Sequence, residues 1–354
     1  MTLHREHTKR IFVGRVPVGG GAPVTIQSMT NTPTVNVGST LAQLRSLEQA
    51  GCDIVRVSIP DNDSLAAFRK IKSQVEIPLI ADIHFEYKLA IGAIDAGADA
   101  IRINPGNIGG KEKVRQVAKT ASAAGIPIRV GVNLGSVKKR LLDAFSEDRV
   151  GALVENAREY VEMLEDMGVV SIKVSLKSSD VLETVDAYRR FSKICNWPLH
   201  LGVTEAGTLL PGVIRSSVGV GALLLEGIGD TIRISLAADP VQEVLSGRVL
   251  LESVGLRDEG VRVIACPTCA RSNADVAAIA QEVEDALKEV KEHLIVAIMG
   301  CAVNGPGEAR IADLGVACDK GGALLFAHGK PMRRIGADEI IATLVNEIKK
   351  EIGE

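Results

Sequence analysis

Apolar residues along this chain recur in two alternating rhythms. Short β-branched runs, Pro23–Thr30, Asp53–Pro60, Pro78–Phe85, Ala100–Asn107, Pro127–Ser136, Ser171–Ser178, Pro198–Gly207 and Asp230–Asp239, read as eight strands. Between them, Leu41–Ala50, Ser64–Val75, Lys111–Ala124, Arg149–Met167 and Asp180–Ile194 carry the period of amphipathic helices, several ending in glycine before the next strand. Pro240–Val254 supplies a last helix and Arg10–Gly21 a short N-terminal hairpin. Eight strand–helix units within about 250 residues predict an α/β chain whose residues 1–255 form a (β/α)8 TIM barrel. A doubly wound open sheet is the competing architecture, but no Gly-rich dinucleotide fingerprint follows the first strand.

Strand side chains alternate between faces, so one parity of each barrel strand points inward. That parity places Arg56 and Ser58, Arg102 and Asn104, Arg129 and Asn133, Lys173 and Ser175, and Arg233 and Ser235 inside. Their neighbours Val55, Val57, Ile101, Ile103, Val130, Val132, Ile172, Val174, Ile232 and Ile234 are apolar and face the helices. Five cations thus converge on the C-terminal mouth, where barrel enzymes do their chemistry. One inward arginine alone reads as half of an internal ion pair. The set does not, because the acids expected inside are only Asp82, with His84 on the same face, and Glu205. Buried positive charge in excess is costly unless an anion compensates it, and guanidinium forks suit phosphate oxygens. The pattern predicts a substrate with more than one phosphate. Glu205, in the turn after the seventh strand, is a candidate proton donor or a counter-ion. Asp82 and His84 form either an acid/base pair or a mutually satisfied buried pair.

The chemistry of the last quarter is different. Cys266-Pro-Thr-Cys269 closes the apolar run Val261–Ala265, and Cys301 closes Leu294–Met299, ahead of Asn304-Gly-Pro-Gly-Glu308. Two strand ends therefore set thiols side by side, and the glycines let backbone approach a bulky inorganic centre. A closed zinc site and an iron–sulfur centre both remain open here; three thiols leave one position for a weaker ligand, for which Glu308 is the best candidate. Cys52, Cys195 and Cys318 are expected to be packing residues.

Composition narrows the setting. With 354 residues, 46% of them hydrophobic, the chain exceeds the usual size of a single core, so two domains are expected. A net charge of −3 gives no general pull toward nucleic acid or membrane. Met1–Arg10 is polar, no apolar leader or spanning run follows, and a reducing, cytoplasmic setting is expected, as ligand thiolates require.

Gln27-Ser-Met-Thr-Asn31, Ala81-Asp-Ile-His-Phe85, Arg102-Ile-Asn-Pro-Gly106, Gly202-Val-Thr-Glu-Ala-Gly207, Gly229-Asp-Thr-Ile-Arg-Ile-Ser235, Cys266-Pro-Thr-Cys269 and Met299-Gly-Cys-Ala-Val-Asn-Gly-Pro-Gly-Glu308 together resemble the bacterial 4-hydroxy-3-methylbut-2-enyl diphosphate synthase family over nearly the whole chain. The resemblance implies a TIM barrel followed, over residues 256–354, by a small α/β domain bearing a [4Fe-4S] cluster on Cys266, Cys269, Cys301 and Glu308. It implies an iron–sulfur oxidoreductase of isoprenoid biosynthesis: two-electron reductive ring opening of 2-C-methyl-D-erythritol 2,4-cyclodiphosphate with loss of water. Arg56, Arg102, Arg129, Lys173 and Arg233 would neutralise the diphosphate, Asn104, Asn133, Thr204 and Ser235 would orient it, with Asp82 and His84 beside it, and Glu205 and Glu308 would be catalytic. Flavodoxin or ferredoxin would donate electrons to a head-to-tail homodimer. The rival from another class is a barrel like dihydropteroate synthase that binds a phosphorylated ligand and carries a zinc-stabilised tail for assembly.

Overall fold

The structure is a computed structural model that describes residues 4–288, 290–301 and 311–353. It divides into two compact units, Met1–Arg257 and Asp258–Glu354. The first begins with a short helix, α1 (His4–His7), and an antiparallel hairpin, β1 (Ile11–Val13) with β2 (Val16–Val18). Eight parallel strands follow: β3 (Thr25–Met29), β4 (Ile54–Ser58), β5 (Leu79–Asp82), β6 (Ala100–Ile103), β7 (Ile128–Asn133), β8 (Ile172–Lys177), β9 (His200–Leu201) and β10 (Thr231–Ile232). The sheet runs β8-β7-β6-β5-β4-β3-β10-β9, and a single parallel bridge between Val174 and Leu199 joins its two ends into a barrel. The apolar partners of the inward residues, from Val55 to Ile234, are all buried against the helices.

The barrel helices are α2 (Val37–Gln49), α3 (Asn62–Lys72), α4 (Tyr87–Asp95), α5 (Pro105–Ile108), α6 (Lys111–Ala124), α7 (Lys139–Ala144), α8 (Arg149–Asp166), α9 (Val181–Phe191), α10 (Leu209–Leu225) and α11 (Pro240–Ser253). Several start where a short polar side chain satisfies a free backbone donor: Asp61 accepts from Ser64 N at 2.7 Å and Asp180 from Glu183 N at 2.9 Å. At the other end of α6, Gly125 takes the left-handed conformation (φ +68°) that lets the chain turn into β7.

Every strand is shorter than its expected run, most of all β9, which keeps His200–Leu201 of Pro198–Gly207, and β10, which keeps Thr231–Ile232 of Asp230–Asp239. The run Ala100–Asn107 leaves the sheet at Ile103, because Asn104 caps α5 by accepting from Gly106 N (3.1 Å) and Pro105 starts the helix. The run Pro127–Ser136 likewise ends at Asn133, followed by a 3-10 turn over Leu134–Ser136. The hairpin lies across the N-terminal end of the barrel. Thr8 Oγ1 donates to Asp230 Oδ1 (2.8 Å), Lys9 N donates to Asn196 O (2.7 Å), and Ile11, Val13 and Val18 join the barrel core.

The unit boundary falls two residues beyond the expected one, since Leu256 packs on the barrel core and Arg257 Nη2 reaches Asp53 Oδ1 at 2.9 Å. The second unit is a five-stranded mixed sheet in the order β11 (Val261–Ala265), β12 (Leu294–Met299), β13 (Leu314–Asp319), β14 (Gly322–Ala327), β15 (Lys330–Gly336). The first three strands are parallel and the last two antiparallel. Helices α12 (Val276–Leu287) and α13 (Ile340–Glu351) bury Val283, Leu287, Leu344 and Ile348 with Val296, Val316 and Leu325. Among the described residues, no helix is long and apolar enough to cross a membrane.

Candidate active site

The strand register sets the cations side by side. Asp82 lies level with Arg102, Arg102 with Arg129, and Arg129 with Lys173, across four adjacent strands. Asp82 is the carboxylate of this layer: Oδ1 accepts from Arg102 Nη1 (3.2 Å), and Oδ2 stands 3.5 Å from Arg56 Nε. Burial alone would raise its pKa, but Arg56 and Arg102 more than offset that and hold it below the usual carboxylate range. His84 is not its hydrogen-bonded mate. Its Nε2 is 3.9 Å from Asp82 Oδ2 and 3.4 Å from Arg102 Nη1, and the ring is largely exposed.

Deeper in, positive charge outruns its partners. Arg129 is buried and donates from Nη2 to Ser175 Oγ (3.1 Å), while its Nε and Nη1 find no partner among the described residues. The Lys173 ammonium is buried and equally unpartnered. Burial first, then the neighbouring arginines, drives Lys173 well below the ordinary lysine value. The same causes act on Lys177, which inward parity alone could have found beside Lys173 and Ser175. His200 at the start of β9 joins them: Nδ1 is hydrogen-bonded to Thr231 Oγ1 (2.5 Å), Nε2 is unpartnered, and burial with Arg129 and Lys177 nearby keeps the ring neutral. Arg129 is also pushed down by burial, but a guanidinium keeps its proton, so there the cost persists as repulsion.

Two glycines make room for this layer. A Cβ on Gly131 would stand 2.6 Å from Arg102 Nε, and one on Gly202 would stand 2.5 Å from Lys177 Nζ.

Arg233 differs from the other cations. Glu243 on α11 grips it twice, Oε2 accepting from Nε at 3.0 Å and Oε1 from Nη2 at 2.9 Å, and also accepts from Ser28 Oγ (2.8 Å) and Leu236 N (3.1 Å). The inward acids are therefore not only Asp82 and Glu205, and Arg233 is already neutralised. The signal was a carboxylate on the buried stripe Pro240, Glu243, Val244, Gly247, Leu250, where an apolar residue belongs. Arg56 directs its Nη2 to Met29 Sδ (2.8 Å), while its Nε faces Asp82.

The polar residues expected to orient a ligand are drawn partly into local structure. Asn104 caps α5 and donates to Ser136 Oγ (3.1 Å), Asn133 precedes the 3-10 turn, and Thr204 N donates to Ser178 O (3.2 Å). Ser235 is half-buried. Glu205 is exposed and sits at φ +53°, a left-handed conformation costly for a residue with a Cβ.

In the second unit, parallel pairing sets Ala265 level with Ile298, and Cys266 N donates to Ile298 O at 3.0 Å, so the Cys266 and Cys301 loops leave adjacent strand ends. Asn273 N donates to Gly300 O (2.9 Å) and ties the Cys266–Asn273 turn to the second loop. Cys301 is buried, Cys266 half-buried and Cys269 exposed. Asn304–Glu308, and with it Glu308, lies outside the described residues. No three histidine, cysteine or acidic side chains among the described residues are gathered closely enough for one metal ion. A four-iron cubane takes one ligand per iron, so its ligands stand further apart, and three cysteines on two tied loops fit that donor set. The other cysteines are buried or nearly so, and burial pushes Cys52 up to about 12 and Cys195 up to about 11, as suits inert packing residues. Burial also raises Cys318.

A barrel with cations in excess at its core, followed by a separate sheet that presents thiols at two strand ends, defines a (β/α)8 enzyme with a thiol-bearing second domain. The chain belongs to the GcpE family: the GcpE TIM-barrel domain matches residues 8–248 and the GcpE protein C-terminal domain residues 262–350. It is 49% identical over 348 residues to the 4-hydroxy-3-methylbut-2-en-1-yl diphosphate synthase (flavodoxin) of Thermodesulfovibrio yellowstonii, covering 98% of this chain and 100% of that one. It is also 49% identical over 350 residues to the synthase of the same name from Anoxybacillus flavithermus, covering 99% and 95%. Among solved structures, dihydropteroate synthase of Yersinia pestis aligns with a TM-score of 0.51 at 13% identity, over 70% of this chain and 98% of that one. That likeness reaches the barrel fold and no further.

Proposed function

We propose that this chain converts 2-C-methyl-D-erythritol 2,4-cyclodiphosphate to (E)-4-hydroxy-3-methylbut-2-enyl diphosphate, a two-electron ring opening with loss of water, for isoprenoid biosynthesis. The observation that carries the reading is the layer Arg102, Arg129 and Lys173, with Lys177 four residues further along β8, whose charge exceeds that of Asp82 and asks for a doubly phosphorylated anion. Arg56, Arg102 and Arg129 bind the phosphates, Lys173 follows from below and Lys177 from the level of Asn133, and Arg233 joins once the anion competes with Glu243. Asn104, Asn133, Thr204 and Ser235 orient the ring from the rim, with Asp82 and His84 fixing Arg102. Glu205, exposed on its strained turn, is placed to hand a proton to the departing oxygen. Cys266, Cys269, Cys301 and Glu308 would hold a [4Fe-4S] cluster, which would supply electrons one at a time from flavodoxin, the carrier named for the relatives.

The proposal extends to the assembly. Arg257 is tied to Asp53 at the start of β4, the barrel end opposite the strand C-termini, and Asp258–Gly260 links it to β11. Three residues reach ~10 Å, too little to return to the chain's own mouth. A head-to-tail homodimer, each second domain serving its partner's barrel, removes the difficulty. The deciding experiment is anaerobic turnover of the cyclic diphosphate by iron-loaded protein with dithionite, product read by mass spectrometry. Protein with a full iron complement that yields no linear diphosphate rejects the reading.

A further inference from the structure

Beside the thiols of the second unit lies an open groove lined by Ala270, Arg271, Asn273, Cys301, Asp319, Lys320 and Arg334. Its charge runs against that of its domain. Residues 258–354 hold sixteen aspartates and glutamates against eleven lysines and arginines, yet the groove collects three cations and one acid. Asp319 pairs with Arg334 at 2.5 Å, leaving Arg271 and Lys320 exposed with no side-chain partner among the described residues. The fully buried, unsatisfied atom in the groove is Asp319 Oδ1, the wrong sign for a small phosphate. Solvated cations around an open rim act at a distance and steer a large partner rather than grip a small one.

We propose that this groove is the docking surface for the electron carrier, a small protein whose face around its own redox group is acidic. The inference rests on the functional reading above. Outside the groove the second unit holds fifteen acids against eight bases, so an acidic carrier is repelled by most of this domain and Arg271, Lys320 and Arg334 select where on it the carrier lands. Each docking passes one electron from the reduced carrier to this chain, and two dockings complete one turnover. The contact belongs to the small, charge-rimmed, transient class typical of redox partners.

The test uses full-length, iron-loaded protein and a bacterial flavodoxin. At low ionic strength, the double reversal Arg271→Glu with Lys320→Glu is expected to weaken binding of oxidised flavodoxin ~10-fold or more, a difference that fades at high salt. Iron content and dithionite-driven turnover stay at the wild-type level. Unchanged flavodoxin affinity and salt dependence overturn the proposal. So does a raised KM for the cyclic diphosphate with dithionite as reductant, which would make the groove a substrate site. If reversal at Arg271 disturbs the cysteine turn, Lys320→Gln alone, on the β13–β14 turn, is expected to weaken binding ~3-fold, and no change there is equally fatal. Wild-type protein that fails with dithionite rejects the functional reading; success with dithionite and indifference of flavodoxin to the reversals rejects only the docking surface.

Discussion

Lys173 and Lys177 give the sharpest prediction, because both ammonium groups are buried next to Arg129 and both are driven well below the ordinary lysine value of 10.5. Between its folded-state value and 10.5, each lysine binds fewer protons in the folded than in the unfolded chain. Stability of the ligand-free protein must therefore rise with pH in that window, by up to ~1.4 kcal/mol per pH unit for each lysine. A diphosphate reverses the preference by favouring the charged form. Binding then takes up protons, and affinity falls by up to ~10-fold per pH unit per lysine above its ligand-free value. The assay is calorimetric titration of the cyclic diphosphate at about pH 7 and about pH 9, in buffers of different ionisation enthalpy so that protons are counted. Lys173→Met and Lys177→Met should each remove part of the uptake, flatten the pH dependence of stability, and leave the ligand-free fold as stable or more so at pH 7. No proton uptake by the wild type, or the same uptake in both variants, refutes the reasoning.

The remaining expectations follow from contacts of the same kind. Arg129→Ala should weaken substrate binding by ~1.5–3 kcal/mol without lowering the melting temperature, the scale of a lost charged hydrogen bond. Arg233→Ala should instead destabilise the fold by ~3–5 kcal/mol in denaturant titration, since it strands the buried Glu243 carboxylate; equal melting of the two variants would contradict this. Glu308→Ala should keep three thiolates and part of the iron but lose most turnover, whereas Cys269→Ser should lose the iron, as iron analysis and visible absorption will report. Mixing inactive Glu205→Gln with inactive Cys301→Ser chains should restore activity, and no recovery despite subunit exchange would show that each chain serves its own barrel.

Much of the barrel can be read from periodicity because its strands are short, β-branched and buried on the helix side. The inward parity that marks Arg102, Arg129 and Lys173 marks Lys177 too, four positions beyond Lys173 on the same strand. His200 is harder to read, since β9 keeps only two residues in the ladder and offers no alternation. Glu243 lies beyond strand logic altogether: it enters the site from a helix, and its link to Arg233 is a tertiary contact that no local pattern encodes. The same limit explains α5, where Asn104-Pro105 is a helix-start signal set inside what otherwise continues as a strand. In the second unit, the ends of β11 and β12 fall where the apolar runs stop, and the pairing of the two loops follows from parallel register rather than from the cysteine spacing.

The hairpin formed by β1 and β2 turns the barrel into a vessel with a floor. Substrate and product then share one aperture, the end where the strands terminate. Product must leave before the next substrate enters, so the kinetics should show the linear diphosphate as a competitive inhibitor, with its release paced by the same guanidinium contacts that capture the ring.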